Sequence, residues 1–99
     1  MKMQLPIKTR ILQYALEKGE PFTKYDIEKD LKNEYPNERL FSLKTIDDYL
    51  NQLMVVGFIS KEKIEFEKDG ELLITFRATA YGQTRYKYVK GKGPYGAVH

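Results

Sequence analysis

The stretch "FSLKTIDDYLNQLMVVGFI", Phe41 to Ile59, decides the fold. Ser42 is a preferred helix-capping residue, and Ile46 stands four residues further on, where it can pack back onto Phe41 across the cap. Gly57 predicts the end of the helix. At about 100° per residue, the apolar residues that share one side are Leu43, Ile46, Tyr49, Leu50, Leu53 and Met54. The stretch therefore predicts an amphipathic helix that leads into a strand.

Two further helices are predicted before this one. Pro6 suits the first turn of a helix, and apolar residues then recur at helical spacing until Gly19. Thr23 predicts the cap of a second helix. This helix should end near Tyr35, because Pro36 disfavours helical geometry in the residue before it.

A β-hairpin is predicted from residue 59 to residue 77, with Asp69-Gly70 at its turn. A two-residue loop would place apolar and charged side chains on both faces of the hairpin. A three-residue loop of Lys68, Asp69 and Gly70, with the glycine in a left-handed bulge, avoids this mixture. It sets Phe66 beside Leu72 and Ile64 beside Ile74, and it leaves Glu65 and Glu67 outside.

The chain of 99 residues is long enough to bury one core but hardly two. We expect one domain over residues 1–80, followed by a basic, tyrosine-rich strand or tail over residues 81–99. Alternation in "TRYKYV" favours a strand, and the glycines and proline beyond it favour a loose end.

Composition restricts the classes of protein that fit. The absence of cysteine excludes a disulfide framework and thiolate metal sites, and it makes the cytoplasm the default location. No signal peptide or membrane span is expected. Catalysis and cofactors are not expected either, because His99 is the only histidine and no glycine-rich phosphate loop follows a strand. The neighbouring carboxylates Asp47 and Asp48 project in different directions on a helix.

The order of three helices and a hairpin resembles the winged helix-turn-helix superfamily. Ser42, Thr45, Ile46, Leu50, Leu53, Gly57 and Ile59 are similar to the signature S-x-x-T-[IV]-x-x-x-L-x-x-L-x-x-x-G-x-I of MarR-like and PadR-like regulators. Residues 79–82 resemble the T-x-x-G that follows the wing in those families. The expected fold class is α+β, a three-helix bundle followed by a β-hairpin wing and a short basic extension. The tail differs from the leucine-rich dimerisation helix of those families.

The resemblance implies a regulator that binds double-stranded DNA as a homodimer, with the third helix in the major groove and the hairpin as a wing. Asn51 and Gln52 carry groups that suit adenine, and Lys44 suits guanine or phosphate. The candidate recognition residues are Ser42, Lys44, Thr45, Asp48, Asn51 and Gln52. The candidate phosphate or wing contacts are Lys8, Arg10, Lys24, Lys61, Lys68, Arg77, Arg85 and Lys87.

The charge distribution leaves two alternatives open. Residues 19–76 carry a net charge of −5, whereas residues 1–18 carry +3 and residues 77–99 carry +5. The third helix and the hairpin are thus slightly repulsive to phosphate, so they could instead form an acidic face that docks on a protein. The basic tyrosine-rich tail, which also contains Lys90 and Lys92, could bind single-stranded nucleic acid or RNA. DNA binding requires that both basic ends, including Lys2, lie beside the third helix.

Overall fold

A computed structural model describes residues 6–36 and 39–92, with side chains through residue 87. The elements, in chain order, are α1 (Ile7–Glu17), α2 (Lys24–Leu31), a 3-10 helix (Lys32–Glu34), α3 (Leu43–Val55), β1 (Ile59–Phe66), β2 (Leu72–Ala78) and α4 (Ala80–Lys92). The first three α-helices surround one apolar core, and the antiparallel hairpin of β1 and β2 packs beside them. The expected α+β class, a helical bundle followed by a hairpin, is confirmed.

The caps predicted for α2 and α3 both form. The Thr23 hydroxyl accepts hydrogen bonds from the backbone N–H groups of Tyr25 and Asp26, and the Asp26 carboxylate accepts one from the Thr23 N–H at 2.8 Å. The Ser42 hydroxyl accepts from the Thr45 N–H at 3.2 Å. These bonds satisfy amide groups that a helix start leaves without partners. The α-helical geometry of α2 ends at Leu31, and the 3-10 helix carries the chain on to Glu34, close to the predicted end.

The core joins all three helices of the bundle to the base of the hairpin. Phe22, just before α2, is fully buried and exchanges two backbone hydrogen bonds with Phe76 of β2, at 2.9 and 2.8 Å. Its ring packs against that of Phe76, with 6.2 Å between centroids. The buried apolar residues are Ile11, Ala15, Leu16, Phe22, Ile27, Leu31, Tyr35, Phe41, Ile46, Leu50, Leu53, Ile59 and Phe76.

The hairpin has the predicted register, with Phe66 opposite Leu72 and Ile64 opposite Ile74. The Glu67 N–H donates to the Glu71 carbonyl at 2.8 Å, which closes a three-residue loop, and Gly70 in that loop has φ +88°. A bulge shifts the register between Lys61 and Lys63. Because one extra residue reverses the alternation of side chains, the bulge brings Ile64 onto the same face as the buried Ile59.

The strand or loose tail predicted from residue 81 is wrong as far as residue 92, where the chain forms α4 instead. The Thr79 hydroxyl accepts from the Gly82 N–H, and the Thr79 carbonyl accepts from the Gln83 N–H, each at 2.9 Å. Thr79 therefore begins a helix. Tyr86 packs against the core while the residues on either side of it are exposed, which a helix achieves as readily as a strand does. Residues 93–99 lie outside the described residues.

The Thr79 to Gly82 segment fixes α4 to the end of α3. The Thr79 hydroxyl donates to the Gly57 carbonyl at 2.7 Å. A Cβ atom on Gly82 would lie 2.3 Å from the Phe58 carbonyl oxygen, closer than any real Cβ contact. Residue 82 must therefore lack a side chain, which gives the T-x-x-G pattern a physical basis in this chain.

Candidate nucleic-acid interface

The exposed side of α3 carries most of the predicted recognition residues. Ile46, Leu50 and Leu53 fix the opposite side in the core. The positions that face solvent are Lys44, Asp48, Asn51 and Gln52. Two polar side chains of different length, an amine and a carboxylate thus lie on one open helix surface. Such a surface can donate to and accept from base edges if it enters a major groove.

Ser42 and Thr45 lie at the start of this helix, and their hydroxyl groups already have partners within it. The Ser42 hydroxyl accepts from the Thr45 N–H and donates to the Thr45 hydroxyl at 3.1 Å. Both side chains are half-buried. Their observed contacts are those of a helix cap.

Asp48, the acidic residue at the centre of the exposed side, pairs with Lys44. The Lys44 Nζ lies 3.1 Å from the Asp48 Oδ2, one helical turn away. Exposed pairs of this spacing contribute only about 0.3–0.5 kcal/mol, so a competing phosphate can exchange with the carboxylate at small cost. The pair neutralises the charge that sequence analysis identified as repulsive, but it also engages the lysine.

The predicted phosphate contacts fall into two groups. Arg10 forms a fork with the Glu34 carboxylate, at 2.9 and 3.2 Å, and this hydrogen bonding raises the pKa of Arg10. Arg77 pairs with Glu62 at 2.8 Å. Both guanidinium groups therefore have carboxylate partners within the chain. The side chains of Lys61, Lys68, Arg85 and Lys87 are exposed to solvent.

Lys8 and Lys24 are the predicted basic residues that lie nearest to α3. The Lys8 Nζ is 5.7 Å from the centre of the Tyr49 ring, on the flank of α3 that faces α1. Lys24 lies over Tyr25 at 5.5 Å and faces the opposite flank, where it adjoins Asp47 and Asn51. The structure thus places one lysine on each side of the recognition residues.

The basic segment of α4 contacts a different part of the bundle from Lys8. The Tyr86 hydroxyl donates to the Glu17 carboxylate at 2.6 Å, at the end of α1, whereas Lys8 lies near its beginning. Nine residues of helix between these points span about 13.5 Å. The two basic regions that sequence analysis expected to meet beside α3 therefore contact opposite ends of α1. Lys2 and His99, and the side chains of Lys90 and Lys92, lie outside the described residues.

Two tyrosines of α4 are held against the fold. Burial, and then the hydrogen bond to Glu17, raise the pKa of Tyr86 to about 12. The Tyr81 ring packs against Phe58, with 5.8 Å between centroids. Base stacking by these two rings would compete with contacts that they already make.

A groove that the sequence patterns do not predict lies between the hairpin and α3, and we call it the wing groove. Its volume is about 320 Å³. It is lined by Lys24, Asp47, Asn51, Glu71, Leu72, Ile74 and Phe76. The apolar face of the hairpin leaves the core at Phe76 and becomes exposed along its length, with Leu72 at 49% and Phe66 at 78%. The apolar alternation in the sequence indicates such a face, but only the bulge shows that it continues the buried one.

Within residues 6–36 and 39–92, no group of three or more histidine, cysteine, aspartate or glutamate residues could hold a metal ion. No helix in that part of the chain is both long and apolar enough to cross a membrane.

The helical bundle with a hairpin beside an exposed third helix defines a winged helix-turn-helix fold. A solved structure from Thermoplasma acidophilum, that of a candidate transcriptional regulator, is similar to it. The TM-score is 0.63 and the sequence identity 18%, over 84% of this chain and 79% of the other. At that identity, the similarity concerns the fold alone. No protein-family model and no curated protein matches the sequence.

Proposed function

We propose that this protein is a winged-helix transcriptional regulator of the MarR-like or PadR-like kind, which binds double-stranded DNA through α3. The observation that carries the proposal is the exposed set of Lys44, Asn51 and Gln52 on a helix whose other side is fixed in the core. Because the core fixes the backbone of this helix, only side-chain freedom is lost when these residues meet base edges. The regulator-like fold supports the same function, and the cytoplasm is the compartment that suits it.

The mode of binding follows from the positions of the elements. The exposed side of α3 enters the major groove, and the hairpin reaches the backbone with Lys61 and Lys68. Lys8 and Lys24 neutralise phosphates on either side of the groove. The expectation that both basic ends lie beside α3 is not met by α4, whose Tyr86 contacts the far end of α1 from Lys8. The proposal therefore relies on Lys8, Lys24, Lys61 and Lys68 for phosphate contact, and Arg85 and Lys87 reach phosphate only if the DNA bends or a second subunit places them there.

A homodimer completes the proposal. One winged-helix module buries a small interface with DNA, whereas two modules related by a two-fold axis read half-sites about 34 Å apart. The expected target is therefore a palindromic site. Sedimentation of the protein with and without duplex DNA gives the number of subunits bound.

The test is binding of the protein to the duplex upstream of its own coding region, measured by fluorescence anisotropy over a series of salt concentrations. We expect the affinity to fall steeply as salt rises, because phosphate contacts release counterions. Asn51→Ala should weaken specific binding by about 1–3 kcal/mol and leave the salt dependence unchanged. Asn33→Ala, which removes the same amide from the 3-10 helix, is the matched control. An affinity that is independent of salt, or equal losses in both variants, would contradict the proposal.

A further inference from the structure

The edge of β2 that faces away from β1 has only part of its hydrogen bonding satisfied. In an antiparallel pair, the backbone groups of successive residues point alternately toward and away from the partner strand. Glu71 bonds to β1 through its carbonyl, whereas Phe76 bonds on the other side, to Phe22. By the same alternation, the N–H and C=O groups of Leu72 and Ile74 point to the Phe22 side.

The chain itself pairs with this edge at one position and then turns away. Phe22 is followed by Thr23, the cap of α2, so the backbone cannot continue along β2. Within residues 6–36 and 39–92, no hydrogen bond reaches the outward N–H and C=O groups of Leu72 or Ile74. An open strand edge of this kind is a template for another chain. In the described part of the chain, the antiparallel pairing of this edge is therefore limited to the single bridge between Phe22 and Phe76 and does not continue to Ile74 or Leu72.

The wing groove provides space beside the open edge. The groove runs past Leu72 and Ile74 to Phe76, so open space lies beside both positions whose backbone groups point outward. An extended segment fits this space better than a helix, which is about 10 Å wide.

The side chains around the groove specify the chemistry of the segment. Leu72 and Ile64 are about half exposed and lie on the hairpin face that continues the core, together with Phe66. Apolar side chains at alternate positions of an added strand would cover them. The remaining side chains of the added strand point to the other face, away from α3 and Asp47. Glu71, one position before Leu72, lines the groove on that side of the alternation, so cationic side chains suit these positions.

We propose that the wing groove binds an extended peptide segment of a partner protein, in which apolar residues alternate with lysine or arginine. The segment adds as a strand to β2, next to Phe22, and forms main-chain hydrogen bonds with Leu72 and Ile74. A cationic side chain of the segment pairs with Glu71. The groove adjoins Asn51 on α3, so a bound segment would occupy part of the surface assigned to DNA. This second site does not depend on DNA binding.

The probe is a fluorescein-labelled hexapeptide of alternating lysine and valine, and fluorescence anisotropy measures its binding to the full chain. A twin peptide carries N-methyl groups on the backbone nitrogens that face β2. Loss of two main-chain donors should weaken binding at least about fivefold, whereas simple hydrophobic adsorption would be unchanged or strengthened. A second twin with glutamate in place of lysine should bind least, because it meets Glu71 with like charge.

Variants of the protein test the same contacts from the other side. Leu72→Pro removes an outward N–H at the first residue of β2, a position that tolerates proline, and should weaken the peptide about two- to tenfold. Glu71→Gln should weaken it by up to about fivefold. Glu65→Gln, on β1 and away from the added strand, is the matched control for charge and should change nothing. Circular dichroism melts show whether each variant retains the fold.

Hydrogen exchange gives a readout that does not depend on affinity alone. The amide protons of Leu72 and Ile74 should become protected when the lysine-valine peptide is present and be less protected by the same concentration of its N-methyl twin. No binding of that peptide, equal binding of both twins, or protection of these amides by duplex DNA alone would overturn the proposal. The DNA measurements on Asn51→Ala are made without peptide, so failure of either proposal leaves the other intact.

Discussion

At the scale of single residues, replacing Gly82 with alanine has two effects of opposite sign on the free energy of unfolding, which are the gain in helix propensity and the steric overlap of the added Cβ. Replacing an ordinary helical glycine with alanine stabilises a protein by up to about 1 kcal/mol. At Gly82 the added Cβ would meet the Phe58 carbonyl oxygen at 2.3 Å, and that neighbour is backbone, which cannot swing aside. We expect Gly82→Ala to destabilise the fold by about 1–3 kcal/mol, measured by urea unfolding.

The control for this change is Gln83→Ala, the next residue of α4, whose side chain is exposed. Its effect should stay within about 0.5 kcal/mol. A Gly82→Ala variant as stable as the wild type would mean that α4 does not approach Phe58 as described.

A substitution of Asp48 tests whether the exposed side of α3 binds DNA or forms an acidic face that docks on a protein. In Asp48→Lys, the carboxylate that pairs with Lys44 at 3.1 Å becomes a second cation on the exposed side of α3. One added phosphate contact should steepen the salt dependence of DNA binding by about one unit and raise nonspecific affinity. The measurement is anisotropy with duplex DNA of random sequence. Glu20→Lys, an exposed carboxylate between α1 and α2, serves as the control for net charge. Equal gains in DNA affinity in both variants would show that α3 is not part of the DNA interface.

At the scale of elements, the hairpin combines a core residue on β2 with an exposed apolar residue at the end of β1. Phe76 is 2% exposed, whereas Phe66, near the tip of the hairpin, is 78% exposed. We expect Phe76→Ala to cost about 3–5 kcal/mol of unfolding free energy and Phe66→Ser to cost less than about 0.5 kcal/mol. Thermal and urea unfolding of the two variants measure the difference.

The opposite outcome at Phe66 would be informative. A loss above about 1 kcal/mol in Phe66→Ser would mean that the hairpin tip is covered in solution, by a second copy or by another part of the chain. Repeating the melt at several protein concentrations distinguishes these cases, because only association depends on concentration.

Local signals in the sequence predict most of the elements. Caps at Thr23 and Ser42, a stop at Gly57 and a turn at Gly70 each depend on residues a few positions apart, so no knowledge of the fold is required. The same local reading fails for α4. Alternating tyrosines fit a strand, and the helix is chosen by the contact of Thr79 and Gly82 with the end of α3, some 20 residues away.

The features of the candidate site also differ in whether local sequence signals predict them. Exposure of Asn51 and Gln52 follows from helical periodicity alone and is predictable. The wing groove is not, because it requires the bulge near Lys63 and the pairing of Phe22 with Phe76, which lies 54 residues further along the chain. The partner of Arg10, which is Glu34, is also distant in the sequence, whereas the partner of Lys44 lies one helical turn away.

At the scale of the whole molecule, two tyrosine hydroxyl groups join α1 to its neighbours. Tyr14 donates to the Asp30 carboxylate of α2, and Tyr86 of α4 donates to Glu17, each at 2.6 Å. Burial in the first place, and then the hydrogen bond to a carboxylate, raise the pKa of Tyr14 to about 12, as they do for Tyr86. The helices on either side of α1 thus depend on protonated tyrosines.

Alkaline conditions should weaken both links together. An unfolded tyrosine loses its proton near pH 10, whereas folded Tyr14 and Tyr86 keep theirs to about pH 12. The folded state therefore binds more protons in this window. The stability that these two groups contribute is fully present below pH 10, so the free energy of unfolding should fall as the pH rises toward 12. Tyr14→Phe with Tyr86→Phe should be less stable at pH 7, because the hydrogen bonds are lost, yet show a shallower fall above pH 10. Urea unfolding across this range measures both effects, and a double variant with the same slope as the wild type would show that neither hydroxyl is held by its carboxylate.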